Sequence, residues 1–114
     1  MVVNITEASD RVEGDHGFYI ELASDFLGEF PQTLGKLRAA LSEGDAQQVE
    51  RTAHTMKGAL LNLAASEASL VAQKIEERGR SKNLTDVDSM VRSLEADVAR
   101  FKAAIEELRV KGSW

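Results

Sequence analysis

Apolar residues recur in alternating steps of three and four along four long stretches of this chain, and short polar segments separate these stretches. The spacing puts the apolar side chains on one face of a helix, so it predicts amphipathic helices rather than strands. A shorter stretch with the same spacing, from Ile5 to Val12, precedes them. The four long predicted helices cover approximately Gly17–Ser42, Asp45–Ala65, Ser66–Arg78 and Thr85–Lys111.

The connections contain residues that begin and end helices. The predicted N-caps are Asp15, Asp45 and Ser66, whose side chains can accept a hydrogen bond from a first-turn backbone N–H. Gly44 and Gly112 suit the ends of helices, and Gly79 is predicted to end the helix that contains it. Thr85 and Asp88 fit a capping box at the start of the last helix.

The first long helix contains Pro31, which removes one helix hydrogen bond. The apolar spacing continues across this proline, so we expect one kinked helix rather than two. Its large apolar residues share one stripe and are predicted to be core, namely Phe18, Tyr19, Leu22, Phe26 and Phe30. His16 is expected to be exposed in the first turn, and Trp114 is expected to fray.

Short connections make consecutive helices antiparallel neighbours. We therefore predict an all-α fold, an up-down-up-down antiparallel four-helix bundle with a short extra N-terminal helix. The length of 114 residues suits one domain spanning residues 1–114. The opening methionine and the short termini favour a free-standing protein over a piece of a larger one.

The composition excludes several classes of function. There is no cysteine, so disulfides and thiolate metal sites are excluded, and two histidines far apart in sequence disfavour a multi-histidine metal site. The net charge of −5 disfavours nucleic acid as a partner. No signal peptide and no membrane-spanning apolar run is evident, so we expect a cytoplasmic protein with no membrane partner.

The chemistry concentrates in residues 53–58, AHTMKG, inside the second long helix. His54 lies beside the apolar stripe, and Lys57 and Gly58 lie one helical turn further along. Leu61 lies one turn beyond these residues. Glycine in a helix interior costs about 1 kcal/mol relative to alanine, so Gly58 indicates that something bulky approaches His54 closely.

A neutral imidazole can attack a phosphoryl group, and a neighbouring lysine can stabilise the phosphoryl oxygens. The chain has no glycine-rich phosphate loop, and Glu50 is the only carboxylate one turn upstream of His54. If His54 handles phosphate, we therefore expect it to be a carrier without kinase activity of its own. The donor would supply the metal and the remaining catalytic groups.

The stretch at residues 53–58 resembles the signature of histidine-containing phosphotransfer (Hpt) domains of two-component phosphorelays, and the helices on either side resemble that family too, including Ile75 and Glu76. The resemblance implies that His54 is phosphorylated, that Lys57 stabilises the phosphate, and that Gly58, Leu61 and Glu50 form a docking face. It implies receiver domains and a hybrid sensor histidine kinase as partners. It implies no cofactor of the chain's own and no metal site, with Mg²⁺ expected on the receiver.

Ala64 stands where the family often has a second glycine. Since alanine is also small, we expect the packing between helices to survive and partner choice to be affected. Two other functions are open to a bundle of this kind. One is a non-phosphorylated adaptor or inhibitor that binds receiver or kinase domains. The other is a metal- or cofactor-binding bundle, which would need paired inward-facing histidines or carboxylates that this sequence does not show.

Overall fold

The chain folds into five α-helices and no β-strand, as the apolar spacing predicts. The computed structural model describes every residue from Met1 to Trp114. The helices are α1 (Ile5–Arg11), α2 (His16–Ser42), α3 (Ala46–Asn62), α4 (Ser66–Ser81) and α5 (Val87–Lys111). No helix is both long enough and apolar enough to cross a bilayer.

Helices α2 to α5 form the predicted four-helix bundle. Each helix packs against the next one along the chain, and α5 returns to α2, with α3 and α4 in the most extensive contact. The bundle measures 43 × 20 × 19 Å. Its long axis matches the roughly 40 Å expected for the 27 residues of α2. The short α1 packs beside α2 as an extra element.

The predicted stripes form a single core. Val49, Ala53, Met56 and Leu60 of α3 are buried, and so are the predicted stripe positions of α5 from Val91 to Leu108. Asp45 caps α3 as predicted, because its carboxylate accepts a hydrogen bond of 3.1 Å from the backbone N–H of Gln48. This cap fixes the start of the helix that carries the candidate site.

The end of α3 differs from the prediction, because the helix stops at Asn62 rather than near Ala65. Ala64 has a φ of 55°, in the left-handed region that favours glycine. Its carbonyl accepts a 2.9 Å hydrogen bond from the backbone N–H of Asn4. A glycine would therefore suit position 64 because of its backbone conformation. Ala64 is nevertheless buried in the core, and its expected effect on partner choice stays a prediction.

Helix α4 also differs at both ends. Ser66 is its first helical residue instead of its N-cap, and Ala65 at the N-cap position makes no side-chain hydrogen bond. The prediction that Gly79 ends the helix was wrong, since α4 continues to Ser81 and ends at Lys82 with a φ of 58°. Gly79 is buried against α3 instead. A Cβ there would lie 2.6 Å from the backbone nitrogen of Glu50, so glycine is required for this close approach.

The predicted capping box at the start of α5 is absent. The helix begins at Val87 with Asp86 at the N-cap position, and no side chain caps it. Asp86 instead pairs with Arg78 of α4 at 2.8 Å. The backbone N–H of Thr85 donates to the side chain of Asn83. At the other end Gly112 closes α5 with a φ of 73°, as predicted.

Helix α2 runs through Pro31 as a single helix, as predicted, and Asp15 caps its start by accepting from the backbone N–H of Phe18. Tyr19 and Phe30 are buried. Two of the residues assigned to the core are not there. Phe18 is 49% exposed and Leu22 is 37% exposed, because both line an open groove between α2 and α3.

The C-terminal tryptophan packs against the start of α2, so the expectation that Trp114 frays was wrong. Its indole ring lies 5.2 Å from the ring of His16 and 5.3 Å from that of Tyr19. Its Nε1–H donates to the carbonyl of Gly14 at 3.2 Å. His16 is consequently half-buried rather than exposed, and its Nε2 has no hydrogen-bond partner.

Candidate functional site

Helix α3 presents the predicted site residues along one side. The side chain of His54 is 66% exposed, and Leu61 is 44% exposed. Gly58 is exposed, and no atom lies within 4 Å of the position a Cβ would take. Gly58 is therefore not a packing glycine at a helix crossing. Glu50 lies one turn before His54 on the same side of the helix.

The imidazole of His54 is held by a buried residue of the neighbouring helix α4. Glu76 of α4 is almost fully buried, and its Oε2 lies 2.6 Å from Nδ1 of His54. The other carboxylate oxygen, Oε1, lies 2.6 Å from Nζ of Lys57. A single carboxylate thus contacts both His54 and Lys57, the two residues of α3 that are predicted to take part in phosphotransfer.

These contacts keep the buried carboxylate ionised. Burial raises the pKa of Glu76, but hydrogen bonds from Lys57 and His54, together with their charges, lower it by more, so the net pKa is below its ordinary value. An ionised carboxylate can only accept hydrogen bonds, so Nδ1 of His54 must be the donor. In the neutral imidazole this places the free lone pair on Nε2, the nitrogen that Glu76 does not contact.

The ammonium group of Lys57 is less available to bind a phosphoryl group than the sequence suggests. Its side chain is only 23% exposed, and its ammonium group is paired with Glu76. The structure therefore places Lys57 one turn from His54, as predicted, with its charge directed at the carboxylate that also holds the ring. Its role in stabilising phosphate stays a prediction.

A polar hollow opens beside the imidazole between α3 and α4. It has a volume of about 570 Å³, and no apolar residue lines it. The guanidinium of Arg80 spans one wall and contacts Glu50 at 3.1 Å and Glu76 at 3.2 Å. The lining residues are Gln47, Glu50, Arg51, His54, Thr55, Glu76 and Arg80.

The surface changes character towards the C-terminal end of α3. An apolar groove of about 360 Å³ lies there between α2 and α3, lined in part by Phe18, Leu22, Phe26, Ala59 and Leu63. Phe18 and Leu22 are the two residues wrongly assigned to the core. Asn62, which also lines the groove, lies one helical turn after Gly58, so the groove borders the open surface at Gly58. This side of the bundle therefore combines a polar end and an apolar end.

Sequence reasoning gave no role to Glu76 or Arg80. The signal for Glu76 was its spacing of four from Ala72 and eight from Ala68, both of which lie in the buried stripe of α4. A carboxylate in such a stripe needs cationic or hydrogen-bonding partners, because an unpaired buried charge is strongly unfavourable. The helix that supplies those partners is determined by packing between helices. The apolar stripe of α4 alone does not identify that helix.

The chain offers no group of three or more histidine, cysteine, aspartate or glutamate residues that could hold a metal ion. Around His54 the two carboxylates, Glu50 and Glu76, are both paired with cationic side chains. The site is therefore suited to nucleophilic attack by the imidazole in an environment of paired charges.

Comparison with known proteins agrees with this geometry. The family model of the Hpt domain matches residues 21–110. The fold is similar to the crystal structure of histidine-containing phosphotransfer protein B (HptB) from Pseudomonas aeruginosa PAO1, with a TM-score of 0.88, 24% identity and 96% of each chain covered. It is also similar to the HPT domain of the Hpt sensor hybrid histidine kinase from Shewanella, with a TM-score of 0.79, 17% identity, and 96% of this chain and 95% of that one covered. No curated protein sequence matches the chain significantly.

Proposed function

Because the chain belongs to the family of Hpt domains, which carry phosphoryl groups in phosphorelays, we propose that His54 is the residue that accepts the phosphoryl group and passes it on. The observation that supports this role is the fixed ring of His54. Its side chain is 66% exposed, while the hydrogen bond from Nδ1 to buried Glu76 leaves the Nε2 lone pair for attack.

The transfer then follows from the arrangement of the ring. The Nε2 lone pair attacks phosphorus, the bond from phosphorus to the aspartyl oxygen of the partner breaks, and the aspartate leaves as a carboxylate. Nδ1 keeps its proton throughout. The phosphorylated ring carries positive charge, which the ionised Glu76 stabilises through its contact with Nδ1. Attack on the phosphohistidine by a second receiver's aspartate reverses the same steps.

The partners we propose are receiver domains and a hybrid sensor histidine kinase. The aspartyl phosphate that donates the phosphoryl group is part of the receiver domain, so the receiver must approach the ring of His54 closely. Gly58 leaves open space beside His54, and Leu61, Glu50 and the groove at Phe18 and Leu22 supply polar and apolar contacts around it. We place Mg²⁺ on the receiver, because this chain has no metal-binding cluster and would act as a carrier without autonomous kinase activity.

We further infer that the protein works in the cytoplasm, where receivers and kinase catalytic domains meet, and that it does not bind nucleic acid. The net charge of −5 supports the second point, because the surface lacks the excess of basic residues needed to neutralise a phosphate backbone.

The decisive experiment uses a receiver domain charged with acetyl phosphate and Mg²⁺. We expect an acid-labile mass gain of one phosphoryl group on the wild-type chain and none on His54→Gln. Helicity and thermal unfolding of the variant should change little, since the ring is mostly exposed. A non-phosphorylated adaptor would bind the receiver with no mass gain in either protein. Transfer to His54→Gln would refute the assignment.

The docking proposal is tested separately with Gly58→Leu. Because the site of the new side chain is empty, the bundle should remain folded, while affinity for the receiver should fall at least about tenfold if a bulky group blocks approach. Gly35→Leu on the exposed side of α2 is the matched control, since a side chain there also meets no atom within 4 Å. Normal receiver affinity in Gly58→Leu would contradict the clearance role.

A further inference from the structure

The polar hollow beside His54 has a composition that the proposed docking face does not explain. We propose that this hollow is the subsite for the phosphoryl oxygens, and that Arg51 and Arg80 are the cations that bind them there. The proposal rests on the function proposed for His54. It assigns phosphate binding to two residues for which the sequence pattern around the histidine gave no role.

Both arginines are close to the reacting ring. Arg51 precedes His54 by three residues on α3, so the two side chains are neighbours on one helix face, and both line the hollow. Arg80 reaches the same place from α4, where its guanidinium and Nδ1 of His54 contact the same oxygen of Glu76, at 3.2 and 2.6 Å. The ring and the two guanidinium groups therefore border one open space.

The side chains of both arginines are accessible from solvent. Arg51 is exposed and forms no ion pair. Arg80 is 61% exposed and pairs with Glu50 at 3.1 Å and with Glu76 at 3.2 Å, the longest of the three contacts that Glu76 makes. A planar guanidinium matches phosphoryl oxygens with two parallel hydrogen bonds, which an ammonium cannot do.

The burial of Glu76 assigns Lys57 a different task. If Lys57 moved to the phosphoryl group, the buried carboxylate would lose its shortest contact with a permanently charged side chain. Leaving a buried charge without its partner is strongly unfavourable. Arg80 can leave Glu76 at lower cost, because Lys57 remains. We infer that Lys57 neutralises Glu76 while the arginines bind the phosphoryl oxygens.

The local charge supports this division. The chain as a whole carries −5, which repels a phosphate donor. Among the lining residues the charges of Arg51 and Arg80 balance those of Glu50 and Glu76, and Lys57, which contacts Glu76 from outside the lining, adds one positive charge. The site is thus a locally positive spot on an acidic protein. When the phosphoryl group moves to Nε2, its oxygens enter a region that already contains two accessible cations.

The test uses phosphoramidate, a small donor that phosphorylates histidine without any receiver, and intact mass to follow the full-length chain. We expect Arg51→Gln and Arg80→Gln each to slow phosphorylation of His54 by roughly 10- to 150-fold, the range for loss of one charge-assisted hydrogen bond. The control is Arg92→Gln, an exposed arginine on α5 that pairs only with Asp88 across one turn. It should react at the wild-type rate.

A second readout separates phosphate binding from positioning. ¹⁵N spectra of the unphosphorylated His54 ring should be unchanged in Arg51→Gln, which does not touch Glu76, so its slower reaction cannot come from an altered tautomer. Wild-type rates in both arginine variants, with a slow Lys57→Gln, would overturn the proposal and return the role to Lys57. Absence of any phosphate on wild-type His54 would instead refute the proposed function itself.

Discussion

Gly79 allows the closest approach between α3 and α4, and replacing it by alanine tests that packing directly. The new Cβ would lie 2.6 Å from the backbone nitrogen of Glu50, 2.8 Å from its Cα and 2.9 Å from the carbonyl oxygen of Ala46. All three are backbone atoms of α3, so no side chain can rotate away. The two helices must separate locally or α4 must bend.

The magnitude follows from two opposing effects. Restoring ordinary contact requires a displacement of roughly 0.5–1 Å in a close-packed interior, and overpacking of this kind costs about 3 kcal/mol when backbone has to move. Alanine in a helix interior recovers about 1 kcal/mol relative to glycine. We expect Gly79→Ala to lower the free energy of unfolding by about 2 kcal/mol, or the Tm by roughly 6–12 °C in a domain of this size.

The assay is urea unfolding followed by circular dichroism at 222 nm, with Gly35→Ala as the matched control. Gly35 is also inside a helix, but a Cβ there meets no atom within 4 Å, so alanine should raise the free energy of unfolding by about 0.5–1 kcal/mol. The same substitution thus has opposite signs at two helical positions. If Gly79→Ala is as stable as the wild type, the helices are not in the close contact described above.

Two further predictions concern stability. Lys82→Gly should raise the free energy of unfolding by about 0.5–1 kcal/mol, because residue 82 ends α4 with a φ of 58° that glycine adopts more readily. Lys82→Ala is its control, and an equal gain there would mean that the backbone conformation is not the cause. The lowered pKa of Glu76 predicts stability that is present above the pKa of an unfolded glutamate and is lost as pH falls through the folded value. Urea unfolding between pH 7 and pH 3 should therefore show a shallower acid dependence in Glu76→Gln, and an unchanged dependence would rule out Glu76 as a contributor.

The positions that the sequence predicted well are those set by local spacing. The helix α3, its buried stripe and its exposed His54 follow from steps of three and four, and Asp45 caps it as its position indicates. The errors arise where contacts between distant residues decide. Gly79 resembles a helix stop until it is seen to meet the backbone of Glu50. Trp114 resembles a frayed end until it is seen to contact His16 and Tyr19.

The candidate site divides in the same way. His54, Lys57, Gly58 and Leu61 lie within two turns of one helix, so their relation is visible in the sequence. Glu76 lies 22 residues after His54 and reaches it only because α4 folds back along α3. The residue that fixes the tautomer of the ring therefore belongs to the part of the site that depends on tertiary packing.

The two halves of α3 have different surroundings, and this has a consequence for how such a carrier could be re-engineered. On α3 the ring and Arg51 lie at residues 51–54, with Arg80 reaching them from α4, whereas the apolar groove contacts α3 at residues 59–63. Under the docking proposed above, changes at Phe18 or Leu22 would alter which proteins recognise the domain while the reacting atoms keep their arrangement. Recognition of one particular partner and the phosphotransfer chemistry could thus change independently of each other within a single domain.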